Sequence, residues 1–436
     1  MVNPRGVTAW ASRAAAAALA CGALAGCSLI TDSFVTNDFS GDPFPIHVGR
    51  ESGAVMIGVR EPGGPALVGV LDVLSPLTLT DPGVGVSPTV GTADLFLLGR
   101  ADPTAEAFDV PRARLQGGDL LSLHPCAEPV CAVGRSPGAP QPYGAIIGAN
   151  VLAGDALRLR LGDDQVFLLA DIGGADRDRT FVCDAVFPSP YRGGGTLVIA
   201  DTEVGFGGRR VTLQACLGAD PDQATQSARG SDALLLMSTG IGVSLLGRTA
   251  YERYRQALLL RTPPVQAEAH DALPAAEAFL PSGLVGGRLA TIDRLALAAA
   301  SSSSPRAPCR QLYAHHVLTP DPDPDRLPPG GDHPCTKGSF CSVPAVVELG
   351  EIEVLVVPDD NATLQALRAE LRPDQPEVDG ILGADALTLA EIDIDYPHNR
   401  VLMRCTSPAS ACVARPALAE EADRRQVQNC IGATAP

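Results

Sequence analysis

Positive charge is scarce in this chain of 436 residues. Lys337 is the only lysine, the rest of the 33 basic residues are arginine, and 50 acidic residues bring the formal charge to −17. A surface that acidic repels nucleic acid and anionic headgroups, which excludes a polyanion partner. A long hydrophobic run is missing as well. The apolar stretch at residues 14–25, AAAAALACGALA, has about 12 residues where a bilayer core needs about 20, so it does not read as a membrane span. C-x-x-C pairs with histidines nearby, which a zinc site would use, do not occur, and no metal or other cofactor is expected. Gly242-Val-Ser244-Leu-Leu246 ends on leucine where a nucleophile elbow ends on glycine, which removes support for a serine hydrolase. His315 and His316 stand near Asp321, Asp323 and Asp325, yet alternating prolines and Arg326 in place of a loop glycine make those acids a solvated loop. Gly193-Gly194-Gly195 has no strand-to-helix context and reads as a flexible join between halves.

What is present begins at the N-terminus. Arg5 and Arg13 flank a polar stretch before the apolar run, the layout of a signal peptide over residues 1–26. Leu24-Ala25-Gly26-Cys27 closes that run and resembles a bacterial lipobox. The resemblance implies cleavage before Cys27, lipid on its thiol, attachment to a membrane through that lipid, and a polar tether over residues 27–44. Ser28, in place of an aspartate, implies sorting to the outer membrane of a Gram-negative envelope. The alternative is ordinary cleavage near Ala25 with Cys27 a plain thiol. Removing residues 1–26 takes away two arginines and no acid, so −17 becomes −19. Setting aside Cys21 and Cys27 leaves ten of the twelve cysteines: Cys126, Cys131, Cys183, Cys216, Cys309, Cys335, Cys341, Cys405, Cys412 and Cys430. An even count in an exported chain reads as disulfides. Their connectivity stays open, with Cys126–Cys131 expected as a local loop, Cys183 with Cys216 as one pairing, and the C-terminal cysteines among themselves.

The mature length, 436 less 26, suits two or three domains. Short apolar runs alternate with Gly and Pro turns and predict strands at 54–59, 66–71, 93–98, 157–161, 166–170, 196–200, 210–215, 233–237, 352–357 and 392–395. Helices are few. Thr249 is expected to cap AYERYRQALLL, and Asp360 or Asn361 to cap ATLQALRAEL before Pro373 stops it. Residues 300–308 and 319–334, rich in Ser and Pro, read as surface insertions.

A repeat organises the strands. Gly144-Ala-Ile-Ile-Gly148-Ala-Asn-Val-Leu152 aligns without gaps with Asp379-Gly-Ile-Leu-Gly383-Ala-Asp-Ala-Leu387, and Leu157, Leu159 and Leu161 continue against Ile392, Ile394 and Tyr396. Ahead of each copy lies a strand, a small or acidic residue, a turn and a second strand: Leu67 to Leu79 around Asp72, and Leu234 to Leu246 around Ser238. A period this long means two homologous lobes. Ser238-Thr239-Gly240-Ile-Gly-Val-Ser-Leu is similar to the D-T-G-A-S-V-S-L turn of the aspartic protease superfamily, and the stretch around Glu377 to Met403 resembles the end of a retropepsin-like lobe. The matched motifs cover about a quarter of the mature chain.

The resemblance implies a mainly β fold of two homologous, six-stranded-barrel-like lobes, residues 45–190 and 191–415, with a C-terminal tail at 416–436. It also implies structural glycines at Gly148, Gly240 and Gly383, and one catalytic carboxylate from each lobe, the two sharing a proton. Here the first lobe offers Asp72 followed by Val73-Leu74, and the second has Ser238 where its aspartate belongs. Asp232 and Asp81 lie too far along the chain to substitute without a register shift. Residues 90–142 hold no tyrosine for a flap. The expectation is therefore a monomeric binding module that takes an extended peptide or polymer in the cleft, with Ser238 donating to Asp72 and favouring its ionised form. An active endopeptidase using Asp72 and a purely structural envelope lipoprotein are the alternatives.

Overall fold

The structure is a computed structural model that describes residues 45–51, 53–80, 91–105, 107–122, 144–152, 156–169, 185–188, 192–199, 202–222, 227–280, 283–298, 309, 345–370, 377–396, 400–405 and 412–416. Strands dominate. The first half contains β1 (Ile46–His47), β2 (Gly49–Glu51), β3 (Ala54–Arg60), β4 (Leu67–Leu71), β5 (Thr78–Thr80), β6 (Gly91–Gly99), β7 (Val110–Ser122), β8 (Ala145–Ile147), α1 (Ala149–Leu152), β9 (Ala156–Arg160), β10 (Gln165–Leu169) and β11 (Ala185–Pro188). A hairpin of β12 (Arg192–Ile199) and β13 (Thr202–Arg210) follows. The second half contains β14 (Thr212–Asp222), β15 (Ser227–Met237), β16 (Ser244–Gly247), α2 (Arg248–Leu259), β17 (Ala275–Leu280), β18 (Gly283–Ile292), β19 (Leu295–Ala298), β20 (Ala345–Leu349), β21 (Ile352–Val357), α3 (Ala362–Glu370), β22 (Gly380–Leu382), α4 (Ala384–Leu387), β23 (Glu391–Asp395), β24 (Arg400–Arg404) and β25 (Cys412–Pro416).

Each half winds its strands in the same way. In the first, β4 lies parallel to β8, β8 antiparallel to β5, and β5 parallel to β7. In the second, β15 lies parallel to β22, β22 antiparallel to β16, and β16 parallel to β21. β6 pairs with both β7 and β3, and its counterpart in the second half is split: β18 pairs with β21, then the chain bends at Asp293-Arg294 and β19 pairs with β14. The lobe sheets have seven and ten strands; in the first, the additional β3–β6 pairing links the six strands β3-β4-β8-β5-β7-β6 end to end. A third sheet of six strands, in the order β1-β10-β9-β23-β24-β11, joins the halves, with β9 of one beside β23 of the other.

The repeat is kept residue for residue. From β8 through α1 and β9 to β10, every element bound recurs 235 positions later in β22, α4, β23 and β24: 145 becomes 380 and 169 becomes 404. Local sequence explains the elements. β3, AVMIGVR, is buried at its first six positions, so it needs apolar residues on both faces and reads as a continuous run. α2 buries Ala250, Tyr251, Tyr254 and Leu258 on one helical face and leaves Leu259 and Leu260 exposed.

Three local expectations are corrected. Gly247 caps α2, while Thr249 gives its N–H and hydroxyl to the Asp359 carboxylate, at 3.1 and 2.6 Å to Oδ2. The strand expected over 210–215 is broken at Val211, between β13 and β14. Gly193-Gly194-Gly195 lies within β12, where Gly194 pairs with Gly207 and Gly195 with Phe206, rather than in a join without structure. Asn361 caps α3 by accepting from the N–H groups of Thr363 and Leu364 at 3.0 and 3.3 Å.

Cys216 is bonded to Cys309, not to Cys183, and the loop it closes spans 93 residues of sequence. Cys405 is bonded to Cys412. Cys27, Cys126, Cys131, Cys183, Cys335, Cys341 and Cys430 lie outside the described residues, as do Asp81 and the His315–Asp325 segment. Among the described residues, no helix is long and apolar enough to cross a membrane, and no group of three or more His, Cys, Asp or Glu is placed to hold a metal ion.

Candidate active site

Parallel pairing in each half delivers one turn to the same place between the lobes. β4 ends at Leu71 and Asp72 donates its N–H to the Ile147 carbonyl at 3.0 Å; β15 ends at Met237 and Ser238 donates its N–H to the Leu382 carbonyl at 2.9 Å. The following residues match one for one. Ala149 N–H meets the Ser75 carbonyl and Ala384 N–H the Ile241 carbonyl, while Gly148 and Gly383 donate to the hydroxyls of Thr78 and Ser244, both at 3.0 Å. A Cβ on Gly148 would sit 2.2 Å from the Leu77 carbonyl oxygen, and one on Gly383 2.3 Å from that of Gly242. Only glycine lets those turns pass so closely.

Asp72 and Ser238 therefore occupy equivalent positions, and they touch. The Ser238 hydroxyl donates to Asp72 Oδ1 at 2.8 Å, and the same oxygen accepts the N–H groups of Leu74 at 3.0 Å and Gly240 at 3.1 Å. Asp72 is 4% exposed, and Ser238 and Thr239 are fully buried. Burial pushes the Asp72 carboxyl above the usual aspartate range; the bonds from Leu74, Ser238 and Gly240 and the nearby charge of Arg210 pull the other way without reversing it. The Ser238 bond favours the ionised form, as expected. The bond forms as anticipated, and desolvation outweighs it. Asp72 in turn helps to raise the phenol of Tyr396, itself raised chiefly by burial.

The threonine contact between the two turns runs one way only. The Thr239 hydroxyl donates to the Leu71 carbonyl at 2.6 Å and accepts the Val73 N–H at 3.2 Å. Val73 has no hydroxyl to return the contact. Leu74, equivalent to Gly240, is buried in a cluster with Leu234, Leu236, Ile241 and Leu245 of the second lobe. Gly240 faces Asp72 so closely that a Cβ there would lie 2.6 Å from its Cγ. The first lobe's departures from Thr-Gly are thus packing choices: an apolar anchor takes the place of a turn glycine.

Arg210 is the residue that sequence reading missed. It closes β13, is buried, and donates from its guanidinium to the Leu74 carbonyl, which puts a cation beside the Asp72 turn. No sequence motif marks it, since its place depends on the β12–β13 hairpin between the halves. Asp232, on β15 beside Cys216 of β14, lines a separate cavity of about 530 Å³ along α2 and is not at the turn. The stretch without tyrosine holds the β6–β7 pair.

Two lobes of matching strand order, with equivalent turns meeting at their interface, define a two-lobed, mainly β chain. Among solved structures the chain is similar to basic 7S globulin from soybean, with a TM-score of 0.37 and 12% identity over 84% of this chain and 95% of that one. It is also similar to an aspartic proteinase from Irpex lacteus, with a TM-score of 0.34 and 11% identity over 85% and 99% of the two chains. No protein-family model matches the chain, and no curated protein matches it.

Proposed function

We propose that this chain is a lipid-anchored envelope protein whose aspartic-protease-like scaffold binds an extended peptide or polymer segment between its lobes without cleaving it. The observation that carries this reading lies at the paired turns, where the Asp72 carboxyl meets the Ser238 hydroxyl and not a second carboxyl. Acid–base hydrolysis in this arrangement needs two acids whose mutual repulsion splits their pKa values, so that one takes a proton as the other gives one. Ser238 supplies a hydroxyl where the second acid would stand, and that hydroxyl is already spent on Asp72. Binding of an extended segment would draw on strand edges; among the described residues β17 is an end strand of the ten-stranded sheet.

One observation favours the rival peptidase. Burial raises the Asp72 carboxyl above the ordinary aspartate range, the direction a general acid needs, although no second carboxyl stands opposite as base. Retention on the immobilised mature protein, analysed by mass spectrometry, separates the readings. Intact library peptides retained at neutral pH support the binding module, new peptide termini support the peptidase, and neither outcome leaves the purely structural role. The anchor is tested separately. Cys27→Ser is expected to release the protein into the soluble fraction or to leave the signal uncut; normal processing with membrane fractionation contradicts the lipobox reading.

A further inference from the structure

The contact between the lobes carries opposite charges at its centre. In the shared sheet β9 and β23 run antiparallel, pairing Leu157 with Ile394, Arg158 with Asp393 and Leu159 with Ile392. The repeat offset of 235 carries position 158 onto 393, so Arg158 and Asp393 are equivalent positions that face each other across the pseudo-two-fold axis. One lobe places a cation there and the other an anion. The two side chains form a bidentate pair, Nε to Oδ1 and Nη2 to Oδ2 both at 2.7 Å, with Arg158 4% and Asp393 2% exposed. Beside them Glu391 accepts from Arg160 Nε at 2.6 Å and from Arg404, and lies 3.6 Å from Arg158 Nε. Burial would raise the Glu391 carboxyl, but these arginines outweigh it and hold the carboxyl below its ordinary value.

The apolar pairs cannot tell the lobes apart. If two N-terminal lobes met through this surface, Leu157 would face Leu159; if two C-terminal lobes met, Ile392 would face Ile394. Both are good cross-strand pairs. The axis position does discriminate, because in an isologous contact a residue on the axis meets its own copy. Two N-terminal lobes would bury arginine against arginine. Two C-terminal lobes would bury Asp393 against Asp393 and bring Glu391 opposite Asp395. A buried ion pair adds little stability over an apolar pair of the same shape, yet like charges buried without partners are strongly unfavourable.

We propose that Arg158 and Asp393 specify which lobes pair, admitting an N-terminal lobe against a C-terminal lobe and excluding like lobes of two copies. The test uses the full mature chain with Arg158→Asp, Asp393→Arg and both together. Each single reversal is expected to lower the melting temperature by about 5–10 °C. The double reversal recovers most of that loss, because Glu391 keeps Arg160 and Arg404. Refolding the two single variants as a mixture should also give a species of twice the mass, absent from either alone, since the substituted lobe of each then meets the opposite charge on the other. If a single variant fails to fold, the double variant still decides: a folded protein melting within a few degrees of the parent supports the proposal. A double variant that loses the sum of the two single effects, or that does not fold, overturns it, as does a mixture that behaves like its components.

Discussion

At Asp72, burial and hydrogen bonding act in opposite directions on one carboxyl, and burial prevails. The sign of the pH dependence follows. A carboxyl whose folded pKa lies above its unfolded value binds its proton more tightly in the native state, so stability falls as pH rises from the unfolded pKa through the folded one. Asp72→Asn keeps an oxygen for the Leu74, Ser238 and Gly240 donors and has no proton to lose. Its melting temperature should therefore gain on the parent's as the pH is raised from about 4. A constant difference across that range, or one that moves against asparagine, means that the carboxyl is not raised. The neighbouring Thr239 joins the lobes through the Leu71 carbonyl and the Val73 N–H, both buried. Thr239→Val leaves two backbone groups unpaired and should cost about 2 kcal/mol or more in urea unfolding; a change below about 0.5 kcal/mol removes the threonine contact from the account.

Among the elements, the turns after β8 and β22 show what a repeat in sequence can reveal. Gly148 and Gly383 stand out because they recur at matching places, and the structure gives the reason in the carbonyls of Leu77 and Gly242. Gly383→Val puts a branched side chain against that backbone and should destabilise by about 3 kcal/mol or more. Gly286→Ala in β18, where a Cβ meets nothing within 4 Å, is the control and should stay within about 0.5 kcal/mol. Equal effects would detach the Gly383 result from close packing. Strands with clean apolar runs, such as β3, β4, β9 and β21, were legible in the sequence to within a residue or two. β13, β17 and β18 were not, because glycine, alanine and arginine dilute their alternation and their pairing comes from partners elsewhere in the fold. The cap of α2 was misplaced for a related reason: Asp359, 110 residues away, binds Thr249.

The whole molecule explains why the pairing of Asp72 with Ser238 was readable while Arg210 and the Arg158–Asp393 contact were not. The first follows from aligning one half with the other. The second and third depend on how the halves sit together, which the aligned motifs do not state. The same assembly brings one carboxyl, Asp72, and one hydroxyl, Ser238, together at equivalent positions, and we propose that this pair does not hydrolyse peptides. The decisive measurement is incubation of the purified protein and its Asp72→Asn variant with a peptide library from about pH 3 to pH 7, read for new termini. Neither protein is expected to cleave at any pH. Cleavage by the parent that disappears in Asp72→Asn would contradict this proposal.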